Sequence, residues 1–314
     1  MKILIELPTW LGDAVMATPA IENIVSFFND SEITLIGSFV AIEVMKNHPK
    51  VTKHYVLDKN YLNLYSNIKS FGDFDAFFSF RSSFRSKFIK FWISAKNKYQ
   101  FNKFLYSKGH QVEKYNNFIN YSLNLNKSAD KLVVHNKYKY KYKYKYKDTE
   151  RKLLGINPGA SYGRAKQWYP KKFAKVATEL SNQYDIIIFG GSGEKAVAAD
   201  IEKYLIENGV KNYRNLAAKT NIQELMNCIS NLDLFITGDS GPMHLAAAFK
   251  VPTVTIFGPT KSAETSQWMN QKSEIVKKNL KCQPCMQRDC PLMHHNCMKQ
   301  IQVVEVLKAV IRLD

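Results

Sequence analysis

Short apolar runs alternate along the chain with longer segments whose apolar residues recur every three or four positions. These are the periodicities of buried strands and of helices packed on one face. KILIE (2–6), ITLIG (33–37), HYVLD (54–58) and FDAFFSF (74–80) predict strands, with helices over AVMATPAIENIVSFF and AIEVMKNH between them. The alternation starts again after residue 150. KLLGIN (152–157), YDIIIFG (184–190), LDLFITG (232–238) and VPTVTIFG (251–258) predict strands, and 171–181, 194–207, 221–230 and 243–249 predict helices. Such alternation builds parallel sheets from β-α-β units. The expected fold class is α/β, with doubly wound domains over residues 1–136 and 151–314 facing a central cleft. A closing amphipathic segment, VVEVLKAVIRL, is expected to be the last helix and to pack back toward the first domain. In open parallel sheets, ligands bind beyond the carboxyl ends of the strands, so the loops at those ends carry the search for function.

Charge narrows the class of partner. Lys and Arg number 45 against 27 Asp and Glu, a formal +18. A surface this basic suits nucleic acid, an anionic membrane face or a phosphorylated substrate. With 45% hydrophobic and 13% aromatic residues the chain can fill packed cores. No run approaches the roughly 20 apolar residues of a membrane-spanning helix. The first apolar run is broken by Glu6, Pro8 and Asp13, so no signal peptide is expected. The expected location is the cytoplasm, with membrane contact at most peripheral.

The repeat KYKYKYKYKYK, Lys137 to Lys147, falls at the domain boundary, 137–150, and supplies six of the lysines. Extended, it sets tyrosines on one face and lysines on the other. It reads as a linker or an edge strand, its lysines discouraging edge-to-edge pairing. A second reading holds the chain near anionic lipid. A third, non-enzymatic one makes it a single-strand nucleic-acid arm, since lysines and stacked aromatics bind such strands. No nucleic-acid motif accompanies it, so that alternative rests on the repeat alone.

Three loops at strand ends carry the candidate chemistry. In LPTWLGDAVMATPA (7–20), Gly12 allows a tight bend and Asp13 stands at the start of a helix. Asp13 is either a helix cap or a general base facing the cleft. In NPGASYGRAKQWYP (157–170), Gly159, Ala160, Ser161 and Gly163 leave amides accessible beside Arg164 and Lys166, a set suited to a diphosphate. The Walker spacing is absent, and a solvated surface loop is the alternative. In FITGDSGPMHLAAAF (235–249), a helix begins at Gly-Pro after Asp239 and Ser240, with Thr237 and His244 nearby, an arrangement that binds anions. GGSGEK (190–195) is a lesser candidate for the same pocket. In FRSSFRSKFIKF (80–91), Arg81 and Arg85 either form a solvated face or hold a phosphorylated acceptor. His110 and Glu113 read as a surface pair on one helix.

Cys282, Cys285, Cys290 and Cys297 follow C-x2-C-x4-C-x6-C, with His294 and His295 alongside. The spacing fits a structural zinc, reduced cysteines packing a loop, or disulfides. No carboxylates cluster there, so a catalytic metal is not expected.

LGDAVMATPAI, NPGASYGRAKQW, TGDSGPMHLAAAFKVPTVTIFGPT and CQPCMQRDCPLMHHNC, in this order across both domains, resemble the ADP-heptose:lipopolysaccharide heptosyltransferases, glycosyltransferase family 9. Within that family they are nearest to the heptosyltransferase II type. The resemblance implies a GT-B fold of two Rossmann-like domains, acceptor on the first and ADP-heptose on the second. It implies inverting transfer of L-glycero-D-manno-heptose to the first inner-core heptose of Kdo-lipid A. Heptosyltransferases I and III, or a core transferase using another sugar nucleotide, are the enzymatic alternatives. Asp13 then resembles the catalytic base and Lys166 the cation for the departing diphosphate. Ser161, Tyr162, Gln223, Asp239, Ser240, Gly241 and His244 fall on the donor side, and Thr9, Gly12, Arg81 and Arg85 on the acceptor side. Gln223 stands where an acid contacting the nucleoside is expected, and Glu224 is its nearest substitute. The resemblance also implies no required cofactor or metal, a lipid-linked acceptor at the cytoplasmic face of the inner membrane, and no nucleic acid. The sequence leaves the oligomeric state open, with a monomer favoured.

Overall fold

The computed structural model describes residues 1–58, 60–136, 151–159 and 162–313. The KY repeat and Ser161 therefore lie outside the described residues. The chain divides into two compact units, Met1–Lys137 and Tyr138–Asp314.

In the first unit β1 (Lys2–Glu6), β2 (Glu32–Gly37), β3 (Val51–Val56), β4 (Phe74–Ser79) and β5 (Ala95–Gln100) form one parallel sheet in the order β3-β2-β1-β4-β5. Helices α1 (Leu11–Met16), α2 (Thr18–Phe27), α3 (Phe39–Met45), α4 (Tyr61–Ser70), α5 (Phe84–Trp92) and α6 (Gln111–Leu123) alternate with the strands. β1 and β2 are buried at every position but the first, as a sheet covered on both faces requires. The helix expected over 14–28 is two helices meeting at Ala17. Pro19 has no N–H for the Val15 carbonyl, and the Thr18 hydroxyl donates to that oxygen instead at 2.7 Å.

The second unit holds β6 (Lys152–Asn157), β7 (Tyr184–Ile188), β8 (Tyr213–Asn215), β9 (Leu234–Gly238), β10 (Thr253–Phe257) and β11 (Ser273–Lys277), all parallel, in the order β11-β10-β9-β6-β7-β8. Its helices are α7 (Pro170–Leu180), α8 (Lys195–Glu207), α9 (Ile222–Ser230), α10 (Gly241–Ala248), α11 (Ser262–Thr265), α12 (Asn296–Lys299) and α13 (Val303–Ile311). A single 3₁₀ turn, Arg164–Lys166, follows β6. Trp168 is the largest fully buried side chain, its ring edge-on to Phe173 and its Nε1–H donating to the Ile301 carbonyl at 3.3 Å. The last helix, α13, packs on α7, β10 and β11 of its own unit, with Val306 and Ala309 fully buried.

Each sheet reverses its winding next to its first strand, between β1 and β4 and between β6 and β9. Loops splay apart at such a switch point and leave a crevice at the strand ends. Among the described residues no helix is long and apolar enough to cross a membrane.

Candidate active site

In the first unit a pocket of about 390 Å³ opens beyond the ends of β1 and β4. Thr9, Asp13, Arg81, Lys103, Gln111 and Tyr115 are among its lining. Asp13 is the third residue of α1, and the residue at the cap position is Trp10, which makes no capping bond. The carboxylate thus sits in the first turn, where the helix dipole favours negative charge. Gly12 is buried within α1. Arg85 is not among the pocket's lining residues; it donates to the Asp58 carbonyl and lies 5.7 Å from the Tyr61 ring centre.

Sequence reasoning missed the residue that organises this pocket. Glu6 ends β1 with no solvent exposure. It accepts hydrogen bonds from the Ser79 hydroxyl at 2.6 Å, the Ser86 hydroxyl at 2.9 Å and Arg81 Nη1 at 3.5 Å. Burial raises its pKa above the ordinary carboxylate range, against the opposing pull of the two serines and of Arg81. Glu6 thereby holds the Arg81 guanidinium at the pocket's edge. The available signal was an acid closing an otherwise apolar strand. Tyr115, also missed, comes from α6, far away in sequence. Burial, reinforced by the negative charge of Asp13, holds its phenol well above the usual range, so it stays a hydrogen-bond donor. His110 and Glu113 are not a pair along one helix face. His110 caps α6, its Nδ1 accepting the Val112 N–H at 3.2 Å, and the Glu113 carboxylate accepts the His110 N–H at 2.7 Å.

In the second unit the loops after β6 and β9 meet. Lys166 Nζ lies 2.6 Å from Asp239 Oδ2 and 4.8 Å from the centre of the Tyr162 ring. Asp239, 4% exposed, also accepts the Thr260 hydroxyl at 2.5 Å. Ser240 is the cap residue of α10 but makes no capping bond; its hydroxyl accepts from Asn157 Nδ2 at 3.0 Å, and the same amide reaches the Thr237 hydroxyl at 3.1 Å. Gly241 opens α10, Pro242 stands in its first turn, and His244 is buried within it. This combination offers a lysine, a hydroxyl and a helix N-terminus to an anion. Gln223 is buried on α9, and its exposed neighbour Glu224 closes a capping box with Asn221, with reciprocal bonds of 2.9 Å. GGSGEK adjoins the same loop, since a Cβ on Gly159 would stand 2.4 Å from Glu194 Cγ.

All five cysteines are free thiols. Cys282, Cys285, Cys290 and Cys297 line one cavity of about 20 Å³ beside Ala165. In the first unit Glu22, His48 and His135 bring possible ligand atoms within 4.8 Å of one another. There the Lys50 N–H donates to His48 Nδ1 at 3.1 Å, which puts the proton on Nε2, facing Glu22 Oε1 at 3.0 Å. That histidine is a hydrogen-bonded strut with no lone pair left for a metal.

The chain is 44% identical over 313 residues, 98% of its length and 97% of the relative's, to lipooligosaccharide heptosyltransferase 2 of Campylobacter jejuni serotype O:2. Its fold matches E. coli ADP-heptose lps heptosyltransferase II with a TM-score of 0.81 at 20% identity, covering 100% of this chain and 98% of that one. E. coli heptosyltransferase WaaC with ADP matches with a TM-score of 0.76 at 13% identity, covering all of both chains. These likenesses give the two doubly wound units the GT-B fold. The family model of glycosyltransferase family 9 (heptosyltransferase) matches residues 77–295. With sheets, strand-end loops and full-length relatives in agreement, this chain is a glycosyltransferase and belongs to glycosyltransferase family 9, the heptosyltransferases.

Proposed function

We propose that the chain transfers L-glycero-D-manno-heptose from ADP-heptose, with inversion, to the first heptose of the lipopolysaccharide or lipooligosaccharide inner core. The identity of 44% to the C. jejuni heptosyltransferase 2, sustained along 98% of the chain, carries this reading. The acceptor hydroxyl enters the pocket at the end of β1, where Asp13 takes its proton as the oxygen attacks the anomeric carbon. The bond from that carbon to the β-phosphate oxygen breaks, and ADP departs with the electron pair. Tyr115 donates a hydrogen bond to the acceptor, and Arg81 and Lys103 meet its anionic groups. Lys166, Ser240 and the start of α10 take up the growing charge on the diphosphate, while Tyr162, Gln223 and His244 shape the donor pocket. Transfer requires no added divalent ion. The enzyme works as a monomer on a lipid-linked acceptor at the cytoplasmic face of the inner membrane, held there by its basic surface.

A mass-spectrometric assay with ADP-heptose and a panel of core acceptors tests this. We expect a gain of one heptose on the mono-heptosylated acceptor alone; transfer to an acceptor lacking heptose overturns the assignment. Asp13→Ala should reduce turnover by about 10²-fold or more while ADP still binds. Activity near that of the parent removes Asp13 as the base.

A further inference from the structure

The four clustered cysteines take no part in the reaction just described, and their surroundings point to another task. Residues 278–295, between β11 and α12, contain neither helix nor strand. Ordered loops longer than about 12–15 residues need something to hold them. Within this one, Met286, Met293 and His295 adopt left-handed backbone (φ 55°, 53° and 51°), which side-chain-bearing residues rarely do. No disulfide ties it, and Cys282, Cys285, Cys290 and Cys297 are all among the residues lining one cavity of about 20 Å³, room for one water-sized occupant. No three of their sulfurs lie within 4.8 Å of one another, so an ion has to draw them in. The neighbouring histidines are committed elsewhere. His295 has Nε2 2.9 Å from the Ala165 carbonyl and Nδ1 3.3 Å from the Tyr169 hydroxyl, while His294 Nδ1 accepts the Asn296 N–H at 3.0 Å. The available donors are therefore sulfurs, and the His295 N–H already points at Cys290 Sγ across 3.4 Å.

We propose that Cys282, Cys285, Cys290 and Cys297 together hold one thiophilic divalent metal ion, zinc or ferrous iron, which braces the wall behind the Lys166 segment. Four soft donors without a carboxylate suit a closed tetrahedral site, structural in kind. Each thiol gives up its proton on binding, and four thiolates around a divalent ion leave a charge of −2, set in a segment that carries Lys278, Lys281, Arg288 and Lys299. Cys285 and Cys290 bracket the residues that touch the segment carrying Lys166. The Tyr162 hydroxyl donates to the Met286 carbonyl at 2.6 Å, and the Ala165 N–H to the Arg288 carbonyl at 2.9 Å. Arg288 lies 5.4 Å from the Tyr162 ring centre, and a Cβ on Gly163 would stand 2.4 Å from the Arg288 carbonyl oxygen. Fixing Cys285 and Cys290 on one ion fixes both carbonyls between them. The metal site stands on these contacts; its effect on nucleotide binding also rests on Lys166 meeting the diphosphate.

Elemental analysis of the whole chain, purified under reducing conditions without chelators, should find one zinc or iron per molecule. Cys290→Ser and Cys297→Ser should lose it, whereas Cys228→Ser, on α9 and outside the cluster, should keep it. Because Cys297 is buried and its variant can fail to fold, metal is also removed from the wild type by chelation. Re-loading with Co²⁺ should produce thiolate-to-cobalt charge-transfer absorption and the intense visible bands of a tetrahedral ion. Chelation should weaken ADP binding, measured by calorimetry, about 10- to 100-fold, and Zn²⁺ should restore it. A chain that carries no metal and binds no Co²⁺, or one with disulfides among these cysteines in its reduced form, overturns the site. Bound metal whose removal leaves ADP affinity unchanged overturns the bracing. Neither result depends on transfer activity, so failure of the proposed reaction is read separately in the acceptor assay.

Discussion

A carboxyl group sealed from water keeps its proton more firmly than one in solution, and Glu6 is such a group. Its folded pKa is raised, so the folded state binds protons more tightly than the unfolded chain does. The stability this residue contributes is complete below the ordinary carboxylate range, roughly pH 4 to 5, and is lost as pH climbs through the raised folded value. Glu6→Gln does not titrate. We expect the variant's melting temperature to gain on that of the wild type as pH rises through this window; a constant difference overturns burial as the dominant cause. Legibility at this scale followed the loops. Tyr162, Lys166 and Asp239 in their loops, and Asp13 in the first turn of α1, stand where glycines and charges broke the apolar pattern, and they could be singled out. Gln111 and Tyr115 reach the same pocket only through the return of α6, and Glu6 meets Ser79 behind it only through the pairing of β1 with β4, contacts that the local sequence does not show. Asp13 looked equally like a cap, because both roles require an acid at a helix start.

At the scale of elements, the central strands were plain. Of the edges, β3 was expected over 54–58 and lies at Val51–Val56, and the others left no strand signal. β1, β6, β9 and β10 are nearly all buried, so their residues read as continuous apolar runs. β5, AKNKYQ, and β11, SEIVK, lie at sheet edges with partly exposed faces, and their polar residues gave no strand signal. The break between α1 and α2 was written in Pro19, but the hydroxyl of Thr18 that bridges it became visible only in the fold. Near the donor loop, Gly163 packs tightly against the backbone of Arg288. A Cβ there would stand 2.4 Å from the Arg288 carbonyl oxygen and 2.7 Å from its Cα, both backbone atoms with little freedom to retreat. Gly163→Ala should cost about 1–3 kcal/mol of stability. It should also weaken ADP binding, because the turn carrying Lys166 must shift; a parental melting curve overturns the tight contact.

For the whole molecule, the net charge of +18 is the dominant electrostatic fact, and the KY repeat concentrates six of the lysines. Binding to vesicles containing anionic lipid should fall steeply between low and high salt, since exposed charges are screened beyond about 10 Å at 0.1 M salt. Deleting two KY pairs should weaken that binding further while sparing turnover on a soluble acceptor. Loss of that turnover contradicts a linker role for the repeat. The Lys166–Asp239 contact is an exception within this field. At 2.6 Å, with the two side chains 12% and 4% exposed, this lysine carries its own counter-ion inside the fold and borrows none from the solution. Salt therefore works as a selective lever: concentrations that strip the enzyme from a charged surface leave the cation of the donor loop as they found it.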